Sequence, residues 1–385
     1  MDIGSLPDPR PPRSPWRPPG WNSLALVLQG GGALGAYQAG VYQALHEEGL
    51  EPDWVAGVSI GGINSAIIAG NPPERRLERL REFWETITAR SIWAYTPDGD
   101  DPRKARNAWS SWITTMLGQP GFFEPQMPNP WFSLRGARTA TSFYNSAPLR
   151  ETLLRLVDFD LLNRKETRFA CGAVNVLNGN FTYFDNMATE ILPEHVMASG
   201  ALPPALPMVS IGSDHYWDGG LVSNTPLQHV LETSPSENLL VFQVDLFSAR
   251  GQLPRDMYDV LARQKDIQYS SRTRLVTDYF QRQHQSLLTL RRVLNKVPDD
   301  MLDEEEREMR RRLQDIPEVA IVLLIYQQKA YESQAKDYEF SSTSMREHWE
   351  TGYRDTVRTL RHKKWLVVPP ADSGIIVHDV HRLED

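Results

Sequence analysis

One cysteine, Cys171, stands in 385 residues, so no disulfide can form within the chain. That suits a reducing compartment. No apolar run approaches the ~20 residues of a transmembrane helix; residues 319–325, Val-Ala-Ile-Val-Leu-Leu-Ile, make a run of strand length. Residues 1–20 lack the apolar core of a signal peptide. An excess of positive charge is also missing. The net charge is −8, which argues against a broadly basic nucleic-acid surface. Histidines, acids and the lone cysteine show no clustered metal-ligand spacing, and no Gly-Lys-Ser/Thr phosphate loop occurs. These absences leave a cytoplasmic globular protein as the expectation, with no metal, no organic cofactor and no nucleic-acid partner.

What the chain does have is concentrated in residues 24–66. Two glycine-rich turns lie there, each after a short apolar run and before a helical pattern. The first holds Gly30, Gly31, Gly32 and Gly35, whose backbone N–H groups at a helix start make an anion site. The second, Gly57-Val58-Ser59-Ile60-Gly61, has the G-x-S-x-G form of a nucleophile elbow. Alone it would arise by chance in roughly one chain in ten of this length. Two such turns, each between strand and helix patterns, point to acyl transfer.

The remaining chain reads as an α/β protein. Residues 24–28 and 54–58 are continuous apolar runs suited to parallel strands buried on both faces. Strand, helix, parallel strand, helix argues the α/β class. Further strands are expected over 168–176, 180–184, 215–217, 239–244 and 319–326. Helices are expected near 77–88, 147–157, 195–200, 256–295, 303–313 and 343–360. Residues 1–22 carry seven prolines and predict an extended, poorly ordered tail. Residues 91–145 hold Trp93, Tyr95, Trp109, Trp112, Met116, Phe122, Phe123, Trp131, Phe132, Phe143 and Tyr144, broken by proline and glycine. They predict an irregular cap, either packed on its own aromatics or facing lipid as a lip. In the second case Phe122 and Phe123 would face the lipid, and binding would respond weakly to salt.

A serine needs a base. Asp218, followed by Gly219 and Gly220 after an apolar run, is the candidate. On its own Asp-Gly would be an ordinary turn; the two upstream motifs change that judgement. At this point the sequence resembles the patatin-like phospholipase family, in its order of glycine loop, G-x-S-x-G and Asp-Gly-Gly. Residues 197–203 and 221–227 resemble the family as well. The resemblance implies a three-layer α/β/α sandwich with a mostly parallel central sheet, over residues 23–250. It implies a Ser59–Asp218 dyad without histidine, and lipid acyl hydrolysis without cofactor. Ser59 would attack an ester carbonyl, Asp218 would accept its proton, and Gly30, Gly31, Gly32 and Gly35 would form the oxyanion loop, with Gly57, Gly61, Gly219 and Gly220 shaping the turns. His195 and His215 would then be structural.

Two positions depart from the family pattern: Gln29 where an acidic or small residue is common, and Leu34 where a cation is common. The second predicts that charged phospholipids are not the preferred substrate and that Leu34→Arg is tolerated. Residues 251–385 form a helical extension beyond the minimal family domain, with the 319–326 strand returning to the sheet. The partner is expected to be a lipid or other ester, met by peripheral contact at a membrane or lipid surface through residues 91–145. Three rivals remain: a transacylase or polyhydroxyalkanoate-type polyester esterase on the same site, a non-catalytic scaffold, and a nucleotide-binding protein. The last needs an acid at the end of the second strand, where Gly57-Val58-Ser59 stands instead.

Overall fold

A computed structural model describes residues 6–89, 99–234, 237–371 and 373–380, with the side chains of 271–273 left aside. Trp93 and Tyr95 of the expected cap lie outside these residues. The first half runs β1 (Ser23–Leu28), α1 (Ala36–Glu47), β2 (Trp54–Val58), α2 (Ile60–Ala69), α3 (Pro73–Thr88), α4 (Asp100–Leu117), β3 (Glu124–Pro125), β4 (Tyr144–Asn145), α5 (Ala147–Leu156) and α6 (Phe159–Asn163). There follow β5 (Arg168–Asn175), β6 (Phe181–Asp185), α7 (Pro193–Ser199), β7 (Val209–Ile211), β8 (Asp214–Asp218), α8 (Leu227–Glu232) and β9 (Leu239–Asp245). The chain closes with α9 (Met257–Leu294), α10 (Glu304–Gln314), β10 (Val319–Ile325), α11 (Ser342–Leu360) and β11 (Ile375–Asp379).

Nine strands form one sheet in the order β11-β10-β9-β1-β2-β5-β8-β7, with β6 also on β5. The run from β11 to β5 is parallel; β6, β7 and β8 pair antiparallel. Continuous apolar strands need cover on both faces, and they have it. Leu24, Leu26 and Leu28 of β1 join one core, with Tyr37, Ile63, Trp84 and Trp349. Ala25 and Val27, pointing the other way, join a second core with Leu227 and Val230, against which Val276 and Phe280 pack. Alternation across the pleat thus makes three layers. β10 lies parallel to β9, so a strand from the last third of the chain sits in the main sheet.

α1 and α11 approach unusually closely. A Cβ on Gly40 would stand 1.9 Å from the Trp349 carbonyl oxygen, and one on Gly352 would stand 2.0 Å from that of Tyr37. Only glycine allows this contact.

Two expectations change. The stretch before β1 is held rather than loose: Arg13 N–H donates to the Glu47 carbonyl at 3.1 Å, Trp16 N–H to that of Gly49 at 3.0 Å, and Leu6 and Trp21 are buried. Its prolines keep it extended while its apolar residues find the body of the protein. The cap also contains an 18-residue helix, α4, where irregular chain was expected. Its large apolar residues Trp109, Trp112, Met116 and Leu117 point outward.

Candidate active site

The strand register assembles the site. Leu28 of β1 stands beside Gly57 of β2, Val58 beside Gly172 of β5, and Ala173 beside Asp218 of β8. The chain segments leaving β1, β2 and β8 therefore meet at one edge of the sheet.

At the end of β2 the chain turns sharply into α2. Ser59 takes φ 56° and ψ −126°, a conformation that costs about 1–3 kcal/mol for a non-glycine residue and that clusters at functional sites. The flanking glycines make the turn possible. A Cβ on Gly57 would stand 2.1 Å from the Gly61 carbonyl oxygen, and one on Gly61 2.3 Å from that of Leu28. The Ser59 N–H donates to Ser199, to its carbonyl at 3.1 Å and its Oγ at 3.0 Å, which fixes the turn while leaving the hydroxyl to other work.

Ser59 and Asp218 line the same cleft, and the Ser59 side chain is one of the groups that favour the Asp218 carboxylate. The carboxyl is 2% exposed and accepts the Gly220 N–H at 2.7 Å. Burial disfavours its charge and pushes its pKa up to about 7, against the opposing pull of those two groups. Gly219 lets the turn press against β5: a Cβ there would meet the Gly172 carbonyl oxygen at 2.6 Å.

The glycine loop lies alongside. A Cβ on Gly30 would be 3.0 Å from Ser59 Cβ. Gly32 adopts φ 54°, and a Cβ there would collide with the Asp337 carbonyl oxygen at 2.2 Å. The four loop glycines differ in what they can offer. The Gly30 N–H is taken by the Asn224 carbonyl at 3.1 Å, so it is no free donor. Gly35 sits behind the site against Ile60 and Trp84, where a Cβ would stand 2.6 Å from Ile60 Cγ1. Gly31 and Gly32 both line the cleft, and their N–H groups have no acceptor among the described residues.

Asn224 clamps this arrangement. Besides its carbonyl contact, its Nδ2 donates to the Gly30 carbonyl at 2.9 Å, and its Oδ1 fills the space a side chain at Gly30 or Gly220 would need. Gln29 does similar work one residue earlier. Its Oε1 accepts Leu246 N–H at 2.6 Å and Phe247 N–H at 3.1 Å, while its Nε2 donates to Thr225 Oγ1 at 3.0 Å. The departure at position 29 is thus a buried structural pin. Leu34 is wholly buried in the core and does not line the cleft. An arginine there would bury an unpaired charge, which corrects the expectation that Leu34→Arg is tolerated.

Above these groups opens a cleft. Its apolar wall includes Phe122, Phe123, Leu202, Leu206, Phe247 and Phe340. Phe122 and Phe123 are 7% and 6% exposed, and their rings pack on each other and on Phe340. Of the two readings of the aromatic segment, these two rings follow the packed one and do not face lipid. Tyr269, Asp337, Tyr338 and Phe340 bring the far end of the chain into the wall. Sequence reasoning missed them because no local pattern joins residues more than 200 positions from Ser59; Asn224, six residues past Asp218 in a stretch that resembles the family, was not singled out. His195 and His215 do not line the cleft. His195 Nδ1 accepts the Leu192 N–H at 2.8 Å, and His215 meets Ser210 Oγ at 2.9 Å.

Comparison with known proteins identifies the family. A family model described as patatin-like phospholipase matches residues 26–231, more than half of the chain, and one described as patatin phospholipase matches residues 267–372. Lysophospholipase nte1 of Aspergillus terreus is 23% identical over 241 residues, 62% of this chain and 13% of its own. Patatin-like phospholipase domain-containing protein ZK370.4 of Caenorhabditis elegans is 43% identical over 63 residues, 16% of this chain and 5% of its own. Patatin-like phospholipase domain-containing protein 6 of Homo sapiens is 42% identical over 69 residues, 18% of this chain and 5% of its own. The matches therefore span a small part of these relatives' length. Among solved structures, VipD from Legionella pneumophila aligns with a TM-score of 0.38 at 14% identity, over 88% of this chain and 67% of its own.

Proposed function

Because the chain belongs to the patatin-like phospholipase family, we propose that it is a serine acyl hydrolase cleaving carboxylic esters of lipids through Ser59 and Asp218. The observation that carries the reading is the pairing of a strained, glycine-flanked serine with a buried carboxyl. A carboxyl near pH 7 in affinity is suited to take a proton and return it at neutral pH. Asp218 accepts the Ser59 proton as Oγ attacks the ester carbonyl. The negative charge that develops on the carbonyl oxygen is held by the N–H groups of Gly31 and Gly32, in the turn that leads into α1, together with that of Ile60 at the start of α2. The alcohol leaves with a proton from Asp218. Water then attacks the acyl-enzyme with Asp218 as base again, and the fatty acid departs. Labelling by a fluorophosphonate probe tests the reading. The wild-type protein should be labelled at Ser59, and Ser59→Ala should lose both labelling and ester hydrolysis without change in its melting temperature. Full hydrolysis by the alanine variant would overturn it.

The substrate reaches the cleft from a lipid surface, on the face that carries α4 and the chain between β3 and β4. α4 is turned inside out: it buries Asn107, Ser111 and Thr114 and exposes Trp109, Trp112, Met116 and Leu117. Met127, Trp131, Phe132 and Leu134 are each more than 80% exposed. Apolar side chains held in water at this density mark an interaction site, and tryptophan suits the boundary between water and hydrocarbon. From residue 125 to residue 150 the chain has no Asp or Glu, while Arg135 and Arg138 are exposed, so lipid phosphates meet no opposing charge there. The base of this lip is the cleft itself, since Phe123 and Tyr144 line it. A groove sharing Tyr144, Ala205 and Tyr338 with the cleft continues along α4 past Trp112. Among the described residues no helix is long and apolar enough to cross a membrane, so contact is made from the side.

A further inference from the structure

The cleft has two unlike sides. On one, Phe122, Phe123 and Phe340 pack ring against ring. Tyr144 belongs to that side, its ring 4.8 Å from that of Phe123, and its phenol is engaged: it donates to the Thr115 carbonyl of α4 at 2.7 Å. The last third of the chain supplies the other side, next to the glycine loop. Tyr269 stands on α9, where its backbone carbonyl accepts Gln29 Nε2 at 3.3 Å. Its ring packs 4.9 Å from that of Phe247, which a Cβ on Gly31 would meet at 3.3 Å. Tyr338 ends the short turn Lys336–Tyr338, which rests on Gly32 through the Asp337 carbonyl.

A phenol withdrawn from water normally finds a protein partner. Those of Tyr37, Tyr42, Tyr144, Tyr326, Tyr331 and Tyr353 each donate to one. Tyr269 and Tyr338 are half-buried and line the cleft. Among the described residues neither phenol oxygen has a protein partner, and neither is shut off from solvent. Both feel the charge of Asp218. Burial first, then Asp218 and Asp337, push the Tyr269 phenol up; burial, then Asp337, Tyr269 and Asp218, push up that of Tyr338. At neutral pH both keep their protons and serve as hydrogen-bond donors. Apart from Ser59 and Asp218, the other polar side chains of the wall are engaged. Asn224 Nδ2 donates to the Gly30 carbonyl at 2.9 Å, and Asp337 Oδ2 lies 2.5 Å from Lys265 Nζ.

An ester has one branch of bare hydrocarbon, the acyl chain, and one that can carry further oxygen atoms, the alcohol. The ring-lined side suits the first. The side with unengaged donors suits the second, because a group that displaces water from a donor without replacing its hydrogen bond loses affinity. We infer that Tyr269 and Tyr338 form the subsite for the alcohol branch and donate to its oxygen atoms, so that esters of polyhydroxy alcohols are favoured over esters of plain alkanols. The inference rests on the acyl hydrolase reading and names the alcohol class of its substrate.

The test sets glyceryl monobutyrate against propyl butyrate, both in free solution. The two differ by the hydroxyl groups of the alcohol alone. Once each rate is divided by that of alkaline hydrolysis, the wild-type enzyme should favour the glyceryl ester in kcat/KM by about tenfold. The double variant Tyr269→Phe/Tyr338→Phe keeps both rings and removes only their oxygens. It should erase the preference, chiefly by raising KM for the glyceryl ester. A wild-type enzyme indifferent to the hydroxyls, or a preference undiminished in the double variant, would overturn the inference. So would an equal loss on both esters, which is what a merely structural role of the phenols produces. Should the double variant fail to fold, Tyr269→Phe alone takes its place and should shrink the preference about threefold; an unchanged one overturns the inference. Hydrolysis of p-nitrophenyl butyrate separates the two levels. If it is absent or survives in Ser59→Ala, the hydrolase reading falls and this inference with it. If it depends on Ser59 and the preference does not respond to the phenols, the subsite assignment alone falls.

Discussion

Residues 118–125 and 126–141 follow one another, are both aromatic and are both broken by glycine or proline, yet they end on opposite sides of one lip. Phe123 packs 4.8 Å from the Tyr144 ring and 6.4 Å from that of Phe340, inside the cleft wall. Trp131 and Phe132, less than ten residues later, are 81% and 86% exposed. Composition does not separate the two. What separates them is the far end of the chain: Tyr338 and Phe340 arrive to cover the first stretch, and among the described residues nothing arrives to cover the second. An aromatic cluster in a sequence therefore marks a place where apolar surface gathers, and the side on which each ring ends depends on partners that local sequence does not name.

The comparison has force only if both stretches serve one reaction, and its most drastic test removes that reaction. Ser59→Ala should abolish hydrolysis of monomeric and aggregated esters alike, with residual turnover at the blank. Next in size, Asp218→Asn should lower kcat by about 10² or more, the usual scale of general-base catalysis, again on both substrates. The same group sets the pH profile. Burial raises its pKa to about 7, only its ionised form can accept the Ser59 proton, and kcat/KM should therefore fall about tenfold per pH unit below that value. A profile flat from acid to neutral pH would remove Asp218 as the base.

Two variants then set the stretches against each other. Replacing Phe122 and Phe123 together by Ser strips the cleft wall and opens the core, where each lost ring costs about 3–5 kcal/mol. Monomeric and micellar substrates should suffer equally, and the melting temperature should drop. Replacing Trp131, Phe132 and Leu134 together by Ser should leave turnover of monomeric p-nitrophenyl butyrate and the melting temperature essentially as they were, since exposed positions contribute about 0.5 kcal/mol or less to stability. Hydrolysis of aggregated substrate and sedimentation with vesicles should fall about tenfold. The residual binding should respond only weakly to added salt, as apolar insertion does. If both variants lose activity on both substrates, the lip and the wall are one structural unit and the contrast disappears.

Much of the site was legible because its geometry is local. Gly57 and Gly61 flank Ser59 within one turn, and Gly219 and Gly220 follow Asp218 directly, so each sharp bend announces itself in a few residues. The buried parallel strands were legible for the same reason, as apolar runs such as residues 24–28. The donors of the glycine loop were read less well. Four glycines look alike in sequence, and only the contact with Asn224 removes Gly30 and only the packing of Ile60 and Trp84 removes Gly35 from the set facing the cleft. α4 was hidden by its reversed faces: Trp109, Trp112 and Met116 have helical spacing, but they point to solvent and the polar Asn107, Ser111 and Thr114 point inward. The wall built from Tyr269, Asp337, Tyr338 and Phe340 left no local trace, since closeness to Ser59 is a property of the folded chain.

The close crossing of α1 and α11 has a consequence in time. Protein synthesis delivers the N-terminal part of a chain first. Ser59 and the glycine loop leave the ribosome early, and Asp218 follows well before the midpoint of the C-terminal half. α1, which begins where the glycine loop ends, waits for residue 352 before the glycine that meets the Tyr37 carbonyl exists at all. Until then a nascent chain carries Ser59 and Asp218 without the helix that backs the loop or the turn that rests on Gly32. On the acyl hydrolase reading, the residues proposed to do the chemistry are thus translated well ahead of the helix and turn that brace them.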